Sequence, residues 1–155
     1  MIQACAAPAM RERVKCAENI NKLNFTFQSR SCNVAVARLI AAAVASERDI
    51  TIAMLDEIKV AVSEAVSNAI MHGYQNDGEQ YIEMSLALLP QELIITIRDE
   101  GVGIADIESA MKPGFQREDG HMGLGFAFMQ SFMDSVEVES KPGYGTSVTM
   151  RKILP

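Results

Sequence analysis

Arg98-Asp99-Glu100-Gly101-Val102-Gly103-Ile104 is the point at which a strongly apolar run breaks off. Immediately before it, Glu92-Leu93-Ile94-Ile95-Thr96-Ile97 is rich in β-branched residues, which pack well on a pleated, buried surface. The pattern therefore predicts a strand over about Glu92–Arg98 that breaks at Asp99, with the carboxylate at the strand's end. Gly101 and Gly103 then let the backbone turn sharply and approach another group with no Cβ in the way. Taken alone, the stretch reads equally as a ligand pocket and as an ordinary Asp-Glu-Gly turn.

Working outward, a second apolar strand from about Tyr81 to Leu88 is separated from the first by Leu89-Pro90-Gln91, a hairpin pattern. Upstream, Met54, Leu55, Ile58, Ala61, Val62, Ala65, Val66, Ala69 and Ile70 recur every three to four positions. They predict one long amphipathic helix over Thr51–His72, closed by Gly73. Leu23-Asn24-Phe25-Thr26-Phe27 alternates apolar and polar like a half-buried strand. Ser29-Arg30-Ser31 then offers a cap for a helix over about Asn33–Ser46.

Downstream, a short helix is expected near Ile107–Met111, a polar glycine-bearing segment over Lys112–Met122, and a helix over Leu124–Met133. Strands near Val136–Ser140 and Thr146–Lys152 flank the turn Lys141-Pro142-Gly143-Tyr144-Gly145. Helices and neighbouring strands without regular βαβ alternation predict an α+β fold. It is a two-layer sandwich of a mixed, mainly antiparallel sheet with helices on one face.

The chain has 155 residues, enough for one domain with a substantial core. Residues 1–20 read as a variable, poorly ordered leader, and residues 21–155 as a single domain. Hydrophobic residues make up 48% of the chain, but no apolar run reaches the roughly 20 residues of a membrane helix, so no membrane association is expected. A net charge of -6 argues against direct nucleic-acid binding, which needs clustered Lys and Arg. Cys5, Cys16 and Cys32 are odd in number and lack metal-ligand spacing, which fits a reducing cytoplasm.

Glu64 and Asn68 leave the same face of the long helix one turn apart and can act on one ligand. An amide oxygen suits magnesium, which keeps several waters and binds through few protein groups plus substrate phosphates. A carboxylate beside it can accept a proton from an attacking hydroxyl. In His121-Met122-Gly123-Leu124-Gly125-Phe126, two glycines meet a helix start, whose free N–H groups favour an anion such as phosphate. Each feature also has a plain reading, as solvated side chains on a surface helix or as a loop ending in a helix. No Gly-Lys-Ser or Gly-Lys-Thr occurs, so there is no P-loop. Position 106 is Asp rather than the third glycine of a dinucleotide fingerprint.

In order, Glu64-x-x-x-Asn68, Asp99-x-Gly101-x-Gly103, Gly123-x-Gly125 and Gly145-Thr146 resemble the asparagine box and the three glycine boxes of the GHKL ATPase/kinase superfamily. That superfamily includes gyrase, histidine kinases and MutL. Within it, Glu64–Tyr74, Arg98–Ile104 and Phe132-Met133-Asp134 resemble the anti-sigma F factor family of sporulation, serine kinases that also sequester an RNA polymerase sigma subunit. The likeness runs from about Leu23 to Lys152.

The resemblance implies the Bergerat ATP-binding fold, with ATP and Mg2+ as cofactors. Asp99 would accept a hydrogen bond from the adenine amino group, with Gly101, Gly103 and Thr146 completing the base pocket. Asn68 would hold magnesium, and Glu64 would be the general base. Gly123, Leu124 and Gly125 would meet the phosphates, and Lys112–Met122 would form an ATP lid. Arg38 matches an arginine on the family's first helix that meets partner proteins. The implied partners are a sigma factor, an anti-anti-sigma protein as phosphorylation substrate, and a second copy of the chain in a homodimer.

The family's lid carries an arginine just before its second glycine box, where this chain has Gly120-His121-Met122. Arg117 or His121 is the candidate substitute. Two alternatives therefore accompany the kinase reading: a nucleotide-dependent sigma-binding module without phosphate transfer, and a stress-response anti-sigma kinase with another sigma partner. A sensor histidine kinase does not fit, because His72 ends the nucleotide helix, His121 falls in the lid, and these are the only 2 histidines.

Overall fold

Alternation of apolar and polar residues along the strands, and their three-to-four spacing along the helices, divides the chain into a sheet and one helical layer. The structure is a computed structural model that describes residues 21–112 and 123–155. The leader expected over residues 1–20, and the lid beyond Lys112, lie outside the described residues.

The elements are β1 (Asn21–Gln28), α1 (Cys32–Ala45), α2 (Ile52–Asn68), a π-helical turn (Ala69–Gly73), β2 (Tyr81–Leu88), β3 (Glu92–Asp99), α3 (Ile107–Met111), α4 (Gly125–Phe132), β4 (Ser135–Lys141) and β5 (Gly145–Ile153). The five strands form one sheet in the order β1-β2-β3-β5-β4. Every pairing is antiparallel, the simplest form of the expected mainly antiparallel sheet.

One face of the sheet is apolar and carries the helices. Ile82, Met84, Leu86 and Leu88 of β2, with Leu93, Ile95 and Ile97 of β3, are buried against Ile58, Val62 and Val66 of α2. Burial of each such side chain stabilises by about 1.5–3 kcal/mol. Ala37, Ala41 and Ala45 on α1 and Ala61 and Ala65 on α2 are also buried, and their small side chains let the two helices lie close together. On the opposite face the sheet is polar, with the Thr96 and Thr149 hydroxyls 3.1 Å apart across β3 and β5.

Two local expectations change. The cluster at Ser29–Ser31 does not cap α1 through a side chain: Ser31 makes no capping bond, and Ser29 is buried and donates to the Asp77 carbonyl. The Asn33 amide side chain donates instead to the Gln28 carbonyl at 2.8 Å, tying the start of α1 to the end of β1. The long helix is not regular to His72, because it widens after Asn68 into the π-helical turn, where the Tyr74 N–H reaches the Ala69 carbonyl at 2.9 Å. One residue is accommodated beyond the α-helical register, and π turns of this kind recur at functional sites. Here the turn brings Gly73 against the tip of β3.

Candidate functional site

The tip of β3 is built by close backbone approach. A Cβ on Gly73 would lie 2.7 Å from the Asp99 carboxyl carbon, and one on Gly101 would lie 2.0 Å from the Gly73 carbonyl oxygen. That carbonyl accepts the Val102 N–H at 3.0 Å. Gly103 takes a positive φ of 74° and would bring a Cβ within 2.2 Å of the Lys141 carbonyl oxygen. The strand tip, the π turn and the β4–β5 turn therefore pack backbone to backbone, and Asp99 is held between them.

Asp99 is 5% exposed. Its Oδ1 accepts the Gly101 N–H at 2.9 Å. Burial pushes the carboxyl up from its ordinary range, while the backbone N–H groups of Gly101 and Thr146 pull it back down. Across the sheet Asp99 pairs with Thr146, so residues far apart in sequence stand side by side on β3 and β5. Tyr74 braces the same loop from the other side: its hydroxyl accepts the Glu100 N–H at 2.7 Å and donates to the Tyr81 carbonyl at 2.6 Å.

A cavity of about 640 Å³ opens beside this tip. Asn68, Asp99, Gly103, Gly123, Gly125 and Thr146 all line it. Its remaining wall is largely apolar, including Ile97, Ile104, Phe126 and Val148, as suits a planar base above a few polar groups.

Three further expected site residues border the cavity without lining it. Gly101 packs on Gly73 and donates its N–H to Asp99, and Leu124, a residue 37% exposed, precedes α4. Glu64 meets α4 at Gly125, where an added Cβ would lie 3.0 Å from Glu64 Oε2 and 3.2–3.3 Å from the Asn68 amide atoms. That cradle joins the α2 pair to the start of α4, so the two motifs read separately in the sequence form one corner. Glu64 is half-buried, and burial raises its carboxyl above the ordinary range.

The corner fits magnesium bound through one amide oxygen with phosphates and waters, because its donors are hard oxygens and few. Among the described residues no group of three or more His, Cys, Asp or Glu side chains forms an all-protein metal cage. Arg38 lies away from the cavity, exposed on α1 near the exposed Val36 and Leu39. Arg117 and His121 lie outside the described residues.

Gly73, Tyr74 and Ser140 were not singled out in the sequence as site residues. The pairing of His72-Gly73-Tyr74 with Arg98–Ile104 within one family resemblance was the available signal for the first two. Ser140, which bonds the loop and β5, carried none.

A family model described as a histidine kinase-like ATPase domain matches residues 27–152. Relatives named anti-sigma F factor include one from Clostridium acetobutylicum, 45% identical over 134 residues that cover 85% of this chain and 93% of the relative. Another, from Oceanobacillus iheyensis, is 46% identical over 136 residues, covering 86% of this chain and 93% of the relative. Among solved structures, a histidine kinase domain from a blue-light activated histidine kinase of Erythrobacter litoralis aligns with a TM-score of 0.55 at 20% identity, covering 78% of this chain and 60% of that one. That likeness concerns the fold alone.

Fold, cavity and family match together define a nucleotide-binding domain of the GHKL type. Within that class, the chain belongs to the anti-sigma F factor family. No helix among the described residues is long and apolar enough to cross a membrane.

Proposed function

We propose that this chain is an ATP-dependent protein-serine kinase that sequesters an RNA polymerase sigma factor, sigma F by family, and phosphorylates a serine of an anti-anti-sigma partner in the cytoplasm. The observation that carries this reading is the joining of a buried acceptor, Asp99, and the Glu64–Asn68–Gly125 corner around one cavity. Asp99 accepts the adenine amino hydrogen at the apolar end. The N–H groups at the start of α4, around Gly123, Leu124 and Gly125, meet the phosphates, where helix N-termini favour negative charge.

Asn68 holds magnesium, which supplies neutralisation of phosphate charge when bound. Glu64 accepts the proton of the serine hydroxyl as its oxygen bonds the γ-phosphorus and the bond to the β,γ-bridging oxygen breaks. Catalysis of this kind is mostly positioning and electrostatics, which is what a preformed corner of carboxylate, amide and glycine supports.

Arg38, exposed on α1, is the contact for the sigma factor, and the functional unit is a homodimer. Immobilised sigma F should retain the native chain more strongly with ATP and magnesium than without, and Arg38→Glu should reduce retention at least about tenfold, as loss of one charged anchor does. Equal retention by Arg38→Glu would move the sigma contact elsewhere.

A second reading has one specific sequence observation in its favour. The segment before Gly123 is Gly120-His121-Met122, without the family's arginine. On that reading ATP shapes the sigma-binding surface and no phosphate is transferred. ATP binding and sigma retention without phosphorylation of the partner would establish it.

A further inference from the structure

Helix α4 has its two ends in opposite states. Its first turn carries no side-chain cap and no acidic residue, and its last turn carries no basic residue of its own. The last carbonyls of a helix hold negative partial charge and lack intrahelical partners. Here that end is closed from β5: the Lys152 ammonium donates to the Phe132 carbonyl at 2.6 Å and to Glu57 Oε2 on α2 at 2.7 Å. The Lys152 side chain is 12% exposed, so this pair is screened far less than one on the surface.

Backbone groups on either side tie the same end of α4 to the sheet. The Asp134 N–H donates to the Arg151 carbonyl at 2.9 Å, and the Ile153 N–H donates to Asp134 Oδ2 at 2.7 Å. Lys152 carries the connection on to α2. Glu57 precedes Glu64 by about two helical turns and Gly125 precedes Phe132 by the same amount, roughly 10 Å along each axis. The two helices therefore run antiparallel, pinned at one end through Lys152 and meeting at the other in the Glu64–Asn68–Gly125 corner. Apolar packing between them is non-directional and leaves their relative position along the axis open, whereas a polar pin fixes it.

We propose that Lys152 is a positioning residue for phosphate binding: by holding the far end of α4 to Glu57, it sets how far the N–H groups at the start of α4 stand from Glu64 and Asn68. The proposal rests on the nucleotide reading of the cavity. The surroundings of Asp99 do not depend on this pin, since Gly73, Gly101 and Gly103 build them backbone to backbone. Loss of the pin is therefore felt by a ligand's phosphates and not by its base.

Its test compares the affinity of the full chain for ATP and for adenosine, which carries the same base without phosphates. The native chain prefers ATP. Lys152→Met keeps the apolar stem and removes the ammonium, and the preference falls about tenfold, the worth of one hydrogen bond to a charged group. The change lies in weaker ATP binding, with adenosine affinity unaltered. A merely structural role would weaken both ligands alike and leave the preference where it was.

Should Lys152→Met fail to fold, Glu57→Ala cuts the same link from its more exposed side, and its preference for ATP also falls. An unchanged preference in folded Lys152→Met, or failing that in Glu57→Ala, overturns the proposal. A native chain that bound adenosine as tightly as ATP would instead take the phosphates away from α4, and absence of ATP binding would overturn the nucleotide reading itself.

Discussion

Asp99 owes its position to the break in a β-branched run, and its chemistry to what packs on it. The end of the strand was legible in the sequence, since Ile97 is the last of the apolar residues and two glycines follow within four positions of Asp99. Its burial was not legible, because the group that covers it is the backbone of Gly73, brought in from another element. The raised carboxyl has a definite thermodynamic sign. Its contribution to stability is present below the unfolded pKa and is lost as pH rises through the folded pKa, so at neutral pH the buried charge costs the empty fold. Asp99→Asn should therefore bind ATP at least about tenfold more weakly, through loss of a charge-assisted hydrogen bond. The ligand-free variant should melt no lower than the native chain at neutral pH. Calorimetry of ATP binding and of thermal unfolding checks both, and unchanged affinity would remove Asp99 from the base pocket.

Elements were legible where their period was clean. β2 runs Tyr81–Leu88 and α3 runs Ile107–Met111, as the apolar pattern predicts, while β1, β4 and β5 each extend beyond the predicted spans. The π turn was hidden because Ala69 and Ile70 continue the helical spacing of α2, and both are buried as a regular helix would bury them. What forces the widening is tertiary: Gly73 must reach Asp99, and its carbonyl must reach Val102. The α2 spacing did place Glu64 and Asn68 on one face, and α4 meets that face at Gly125. The contact between the π turn and the β3 tip leaves no room for an added side chain. Gly101→Ala would set a Cβ 2.0 Å from the Gly73 carbonyl oxygen, and the nearest atoms are all Gly73 backbone, which cannot rotate away. The variant should lose about 3 kcal/mol or more in urea unfolding, at the upper end of overpacking costs. A loss under about 1 kcal/mol would mean that the two segments separate easily.

For the whole molecule, the sequence indicated two layers and a β4–β5 hairpin, but not which strand of that hairpin joins β3. The order β1-β2-β3-β5-β4 puts β5 inside, which sets Thr146 beside Asp99 on the cavity wall. The corner where the α2 pair meets α4 belongs to the helical layer, so catalysis as proposed requires both layers to be assembled around one nucleotide. Transfer of labelled γ-phosphate from ATP to a serine of the anti-anti-sigma protein tests that claim most directly, with the native chain compared with Glu64→Gln. The native chain should label its partner at a rate that falls on acidification as Glu64 takes up a proton, beginning above the ordinary glutamate range because burial raises its carboxyl. Glu64→Gln should still bind ATP but transfer phosphate at least about 100-fold more slowly, the usual contribution of a general base. Transfer by Glu64→Gln at the native rate would contradict the account.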